Sequence, residues 1–449
     1  SIEGSRLTPR TRRTAPPTPV LRTTCPRSQP RAFDRTTSTK RGSSEHEGDM
    51  RTSEEDKPLL QQSGDGAPTL PSDAPLHEIP KEDMANLDAH YGVYVDANAL
   101  KAHTASDGLL DGAEQVFVPT AVWLTGASQY WLQGQTGQGT VVGVIDSGID
   151  DSHPALKGKL LGRRDYVAMR NANGDRSKVE DPSTFNPHGT HVAGTIAAAP
   201  SKDNLLAGVA PGAQLYDYRV LGTDGRGFTD DIVNAIRDAV DDGCHVINMS
   251  LGSGFPSNAQ QAALKYARDR NVALIAAAGN EQTARSLKDA LSDPEISYPA
   301  YFPETLAVAA CEFNDETGEV TPAAQNGVFF SNTNMRVDVA ADGQDVISCV
   351  PGGGYAEYDG TSMASPCVAG MAALLRSRVA RRSGEDVAAA VDLHALLKSE
   401  AVDTALVGPD TGSGKNQLFG FGICTLWAEL PLRSGGEWRM PSLGLFRSQ

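Results

Sequence analysis

Four short apolar runs constrain this chain more than any other feature. They are Val141-Val-Gly-Val-Ile145, Val246-Ile-Asn-Met249, Val272-Ala-Leu-Ile275 and Leu306-Ala-Val-Ala309. A strand covered on one face alternates apolar with polar residues, whereas a nearly continuous run signals cover on both faces. Helical patterns lie between the runs. Over residues 230–241, Ile232, Val233, Ile236 and Val240 share one face, and Asp230 and Asp231 suit the positive end of the helix dipole. Residues 259–268 carry a second helical pattern. Strand–helix–strand alternation predicts an α/β fold, a doubly wound, mostly parallel sheet with helices on both faces. Such sheets bind ligands beyond the carboxyl ends of their strands.

The rest of the chain divides by composition. Residues 1–85 form a basic, then acidic N-terminal region, and up to about residue 75 they are rich in Pro, Ser, Thr, Arg and Gly without apolar periodicity. That region is expected to be disordered. Residues 86–125 gain strand-like runs, with Tyr91, Val93, Tyr94 and Val95 in one and Glu114-Gln-Val-Phe-Val118 in another. A compact domain is expected over 126–432 and a loose tail over 433–449. The net charge is −16, yet residues 1–41 hold ten Lys/Arg against two Asp/Glu, so the remainder carries −24. An acidic body of this kind repels phosphates and argues against a nucleic-acid partner. No run of about 18 apolar residues occurs to span a membrane. Six cysteines lie far apart with no C-x-x-C pair, which fits neither a disulfide framework nor a zinc site. Buried free thiols lean towards a reducing, intracellular compartment.

The polar residues with chemical potential cluster on one edge of the expected sheet. Asp146 directly follows the run ending at Ile145, Ser250-Leu-Gly252 follows the run ending at Met249, and Gly279-Asn-Glu281 follows the strand that starts at Val272. A second element is His188-Gly-Thr-His-Val-Ala-Gly194. Its two histidines suggest a metal, but no H-E-x-x-H arrangement accompanies them. A helix opening at His188 and packing closely through its small residues is the other reading. The third element is Gly360-Thr-Ser-Met-Ala-Ser-Pro-Cys-Val-Ala-Gly370, in which Ser362 precedes a strongly apolar helical run. Taken alone, Ser362 reads first as a helix cap.

Together, Val144-Ile-Asp-Ser-Gly148, His188-Gly-Thr-His-Val-Ala-Gly194 and Gly360-Thr-Ser-Met-Ala-Ser-Pro366 resemble the subtilisin family of serine endopeptidases. The order Asp…His…Ser agrees. The resemblance covers roughly residues 127–430, and Ile296-Ser-Tyr-Pro-Ala300 with the acidic composition is most similar to the intracellular subtilisins. It implies a catalytic triad of Asp146, His188 and Ser362, with Asn280 and the Ser362 N–H as oxyanion donors. It also implies extended substrate held between Gly225-Arg226-Gly227 and Ser250-Leu251-Gly252. A primary pocket lined by Gly252, Ala277, Gly279 and Ser297 would admit large apolar side chains, with Glu281 at its rim tolerating a basic one. Protein and peptide substrates are the partners implied.

The chemistry requires no cofactor and no catalytic metal. Calcium-binding relatives often carry Asp where this chain has Ala155, and the stretch Ala199-Pro-Ser-Lys-Asp-Asn204 would complete that site. Losing a carboxylate argues against a tight structural calcium. Cys367 stands where many relatives have His and is expected in the core. Residues 86–125 are expected to act as an inhibitory segment, with Val116-Phe-Val-Pro119 laid in the cleft of a zymogen; an inert linker or a surface strand of the domain is the other reading. Two other readings compete. A catalytically silent peptide-binding scaffold would lack a triad residue, and a nucleotide-binding fold would need G-x-G-x-x-G after the first strand. The sequence has neither mark.

Overall fold

The computed structural model describes residues 77–87, 91–98, 113–314, 320–402, 415–427, 432–434 and 437–439, and the statements below concern these. Of residues 1–85, expected to be disordered, those before residue 77 lie outside them, whereas His77–Ile79 pairs as a strand and Lys81–Ala85 forms a helical turn with Met84 buried, which corrects that expectation; most of the expected tail also lies outside.

The apolar runs become neighbouring strands of one large sheet. Its body is β1 (Val141–Asp146), β2 (Leu160–Asp165), β3 (Gln214–Arg219), β4 (Val246–Met249), β5 (Ala273–Ala277), β6 (Leu306–Phe313) and β7 (Val337–Asp342). Their spatial order is β2-β3-β1-β4-β5-β6-β7, and every neighbouring pair is parallel. Ile423–Cys424 and Ala401–Val402 extend the β7 edge, and Val320–Pro322 pairs antiparallel with β6. The chain leaves β1 for the far edge, returns through β3 to β1, and then crosses to β4 on the other side. The crevice at the carboxyl end of β1 is therefore the topological switch point, where folds of this kind bind ligands.

The strands are apolar because both faces are covered. Val142, Val144, Val246, Ile275 and Val308 join one core, while Ile145, Ile247, Leu274 and Ala307 join the other. Helices α1 (His188–Ala197) and α4 (Thr361–Ser383) supply the first core, and α2 (Thr229–Asp241) and α3 (Asn258–Arg268) supply the second. Helix α4 is buried at every position from Thr361 to Ser377. A helix surrounded by protein needs no polar face, which accounts for its strongly apolar sequence.

The segment before the sheet is built into the same core. Gly92–Asp96 pairs antiparallel with Gln115–Pro119. On the other side, the Phe117 N–H donates to Leu205 O at 2.8 Å, and the Ala207 N–H donates to Phe117 O at 2.9 Å. Both edges of Gln115–Pro119 are thus occupied. A strand laid in the cleft would instead bond to the segments 225–227 and 250–252, so the expected placement of Val116–Pro119 is corrected. Phe117 is fully buried, which contributes roughly 1.5–3 kcal/mol to this docking.

Two histidines, His394 buried and His245 half-buried, hold the starts of two central strands. His245 Nδ1 accepts the Val141 N–H at 3.0 Å, and His394 Nε2 accepts the Leu274 N–H at 2.9 Å. A ring nitrogen that accepts cannot carry a proton. Burial accordingly lowers His245 from 6.5 to about 4 and His394 from 6.5 to about 3. The unfolded chain takes up these protons near the ordinary value and the folded chain does not. Their stabilising contribution is therefore complete above pH 6.5 and is lost as pH falls towards 4 and then 3. Asp217, raised to about 6 by burial, opposes them in the same window. His394→Gln keeps an acceptor without the titration. It is expected to reduce the slope of unfolding free energy against pH by about 1.4 kcal/mol per unit between pH 6 and 4. Urea midpoints measured across that range give the slope, and an unchanged slope would refute the assignment.

Candidate active site

Three elements converge at the switch point. Asp146 ends β1, His188 opens α1, and Ser362 is the second residue of α4. His188 Nδ1 lies 2.8 Å from Asp146 Oδ1, and both side chains are withdrawn from solvent. The Ser147 N–H donates to the same carboxylate oxygen at 2.6 Å, and the Val220 N–H donates to the Asp146 carbonyl at 2.8 Å. Asp146 is thus fixed at backbone and side chain. His188 is fixed from its own side, since its N–H donates to Asn186 Oδ1 at 3.0 Å.

Glycine at 189 lets these elements meet. A Cβ there would sit 2.5 Å from Gly148 O and 3.1 Å from Asp146 Oδ1. The Gly189 N–H instead donates to Ser147 Oγ at 2.9 Å, closing α1 onto the end of β1. The second histidine of the motif is no metal ligand. His191 is fully buried, its Nε2 lies 3.0 Å from Val346 O and 3.1 Å from Ala356 O, and its ring stacks on Tyr358 at 4.4 Å. Burial lowers its pKa to about 3 and keeps it neutral. Among the described residues, no group of three or more His, Cys, Asp or Glu is placed to hold a metal.

Ser362 is held through its main chain. Pro366 lies inside α4, and lacking an N–H it cannot take the carbonyl of Ser362 four residues back. Ser250 Oγ takes it instead, at 3.0 Å. Ser250 Oγ also accepts from Asn248 Nδ2 at 2.9 Å and lies 2.9 Å from Ser365 Oγ. Ser362 Oγ donates a long 3.4 Å bond to the Ser250 carbonyl. The first N–H groups of a helix have no partner within it, so Ser362 presents its N–H at the positive end of α4.

Asn280 follows β5 beside that helix end. Its Oδ1 accepts from the Thr361 N–H at 3.0 Å and from Thr361 Oγ1 at 2.8 Å. Thr361 Oγ1 in turn accepts the Gly279 N–H at 3.1 Å. With its oxygen turned to Thr361, the planar carboxamide directs its N–H donors the other way. Thr361 is a site residue that the sequence reading missed, although it stands directly before Ser362.

The two segments expected to hold substrate both follow strands of this sheet edge. Gly225 and Gly227 are buried and Arg226 is exposed on a turn closed by the Gly222 N–H to Arg226 O at 2.8 Å. Ser250, Leu251 and Gly252 follow β4, and the next residue, Ser253, exchanges hydrogen bonds with Tyr298 at 2.9 and 2.8 Å. That pairing brings Ser297 against Gly252 and Gly279. A Cβ on Gly252 would lie 2.3 Å from Ser297 Oγ, and one on Gly279 would lie 2.8 Å from Ser297 Cβ. Ala277 is buried in β5 on the same edge. Ser297 Oγ is buried without a hydrogen-bond partner among the described residues. Glu281 Oε2 accepts from Asn332 Nδ2, and Asn332 is fully buried. Cys367 lies in the core, its thiol directed to Met363 O at 3.5 Å. Among the described residues, no helix is long and apolar enough to cross a membrane.

Comparison with known proteins agrees with this architecture. Residues 137–422 match the Subtilase family. The chain is 36% identical over 280 residues to the intracellular serine protease of Paenibacillus polymyxa, covering 62% of this chain and 79% of that protein. It is 36% identical over 261 residues to the major intracellular serine protease of Bacillus subtilis (strain 168), covering 58% and 75%. It is 39% identical over 267 residues to subtilisin E of the same organism, covering 58% and 61%. The match spans more than half of the chain and includes all three motifs on the sheet edge. The chain belongs to the subtilase family of serine proteases.

Proposed function

We propose that this protein hydrolyses peptide bonds as an endopeptidase, through an acyl-enzyme on Ser362. The observation that carries the proposal is the 2.8 Å bond from His188 Nδ1 to Asp146 Oδ1, at the switch point where Ser362 opens a buried helix. A serine hydroxyl needs a base to attack at neutral pH. His188 takes the Ser362 proton as Oγ attacks the carbonyl carbon, and it returns that proton to the leaving amine. Asp146 fixes the tautomer that leaves Nε2 free to accept, and it stabilises the imidazolium. Water, deprotonated by the same imidazole, then cleaves the ester and regenerates the hydroxyl. The tetrahedral oxyanion accepts from Asn280 Nδ2 and from the Ser362 N–H, which are set in place before reaction by Thr361 and by the start of α4.

Substrate lies extended between the segments 225–227 and 250–252 as an added strand. Its P1 side chain enters the pocket of Gly252, Ala277, Gly279 and Ser297, whose small uncharged lining favours large apolar residues, while the Glu281 carboxylate beside Gly279 tolerates a basic one. Proteins and peptides are the partners, and the acidic body disfavours nucleic acid. Two relatives are named intracellular proteases, and the five described cysteines are all buried and unpaired. Both facts support an intracellular setting.

Ser362→Ala is expected to abolish peptide hydrolysis while the folded protein remains. A fluorophosphonate probe should label Ser362 in the wild type only, and labelling that persists in the variant would remove Ser362 from its role. Asn280→Ala is expected to lower kcat roughly 10²–10³-fold with little change in KM, a magnitude known for a subtilisin and carried over here. Thr361→Val leaves one of two bonds to Asn280 Oδ1 and should lower kcat about tenfold, whereas Thr361→Ser should restore most of it. A change confined to KM would show that Thr361 acts on substrate binding instead.

The pocket assignment has its own test. Ser297→Val adds volume opposite Gly252 and Gly279. It is expected to lower kcat/KM for peptides with P1 Phe by about tenfold or more, and to spare P1 Ala. An unchanged ratio of Phe to Ala would place the P1 side chain elsewhere.

A further inference from the structure

The stretch Ala199–Asn204 is the one expected to complete a calcium site, so the interior of the loop it opens decides whether these residues fit one. Calcium takes six to eight oxygens, carboxylates among them. The first required carboxylate is absent, because Ala155 is buried as a methyl group in the core. Its carbonyl accepts the Ala199 N–H at 2.9 Å. The acid of the loop itself, Asp203, is exposed, and so is Lys202. The residues do not fit a calcium ion.

A side chain fills the centre of the loop instead. Asn204 is 3% exposed. Its Nδ2 donates to Ala199 O at 2.9 Å and to Leu206 O at 2.8 Å. Its Oδ1 accepts from the Leu206 N–H at 3.1 Å and from the Tyr355 hydroxyl at 2.7 Å. A carboxamide has two donors and two acceptor sites, and all four are used here. The donors draw in backbone carbonyls, as a cation would. The oxygen adds what no cation can, acceptance of protons from the Leu206 N–H and from the Tyr355 hydroxyl on the neighbouring strand Gly354–Tyr358.

We propose that the Asn204 carboxamide is a built-in substitute for a bound cation, making the closure of this loop independent of calcium. The closure reaches further than the loop. Leu205 O and the Ala207 N–H, on either side of Leu206, hold Phe117 of the strand Gln115–Pro119. Tyr355 lies opposite Ile79 in the pairing of Gly354–Tyr358 with His77–Ile79. One carboxamide therefore fixes the surface on which two N-terminal strands dock, and it does so without depending on the metal content of the surroundings.

The test uses the full chain carrying Ser362→Ala to prevent self-digestion. Thermal melting and amide hydrogen exchange are followed in millimolar calcium and in chelator. Asn204→Ala is expected to lower the melting temperature by about 5 °C or more, and to speed exchange of the amides of Leu206, Ala207 and Phe117. Calcium should restore neither. Tyr355→Phe removes a single hydroxyl and should produce a smaller loss at the same amides, which serves if Asn204→Ala fails to fold. Three results would overturn the proposal. They are calcium slowing exchange over 199–207 in the protein with Asn204 intact, calcium rescuing Asn204→Ala, and exchange at these amides unaltered in both variants.

Discussion

The arrangement of the site depends on one carbonyl that its own helix leaves unbonded. Pro366 stands four residues after Ser362 and has no N–H to give it. In an isolated helix this would cost stability. Here Ser250, at the carboxyl end of β4, fills the vacancy at 3.0 Å and so joins the helix carrying Ser362 to the strand that borders the cleft. Asn248 and Ser365 brace the same hydroxyl. All these side chains are buried, where a partly satisfied network would be destabilising. The motif Gly-Thr-Ser-Met-Ala-Ser-Pro thus encodes a connection as well as the proposed nucleophile.

The pair of Asp146 and His188 follows a related logic. Burying an acid and an imidazole together is weak evidence for stability, because desolvation offsets much of the attraction. Its value is orientation. Asp146 Oδ1 receives both the Ser147 N–H and the imidazole, while the Asp146 carbonyl receives the Val220 N–H from the segment following β3. The imidazole cannot turn without breaking a bond that water cannot replace at a buried position. Close approach through Gly189 makes the pair reachable. The rigidity of the sheet is thereby passed to the imidazole proposed as the base.

The residues that sequence made legible are those whose pattern has one physical cause. Strands buried on both faces must be apolar, so β1, β4, β5 and β6 stood out, and the polar residues just after them fell on one edge. Helix α2 runs from Thr229 to Asp241, within one residue of its apolar periodicity. β7 was not legible because its run is broken by Asp338, a buried acid whose charge is met by Lys398 and Lys415 at 3.0 and 3.1 Å. Those partners lie tens of residues away, where no local pattern reveals them. Thr361 was passed over for a similar reason, since its role is set by the carboxamide of Asn280 across the sheet. The strand Gln115–Pro119 was visible as a strand, but its partners were not. An extended apolar segment reads alike whether it lies in a cleft or in a core.

That last ambiguity has a structural answer with a wider consequence. The folded body is larger than the family domain matched over residues 137–422. Helices Thr120–Leu124 and Ala127–Trp131 precede it and pack on residues that follow its end. Trp123 and Trp427 meet edge to face at 5.6 Å, and Trp427 Nε1 donates to Trp123 O at 2.9 Å. Thr425 Oγ1 donates to Leu124 O at 2.6 Å, and the Leu426 N–H donates to Thr125 O at 2.7 Å. Trp131 Nε1 reaches back to Val209 O at 3.0 Å, beside the loop closed by Asn204. The two flanks of the catalytic body thus hold each other, and the N-terminal flank also holds the loop. Cutting the chain between Gln115 and Val141 would expose a core face that includes Phe117, Trp123 and Trp131. The described part of the N-terminal segment is packed in the core through Phe117, Trp123 and Trp131, a different placement from that of a strand laid over a cleft.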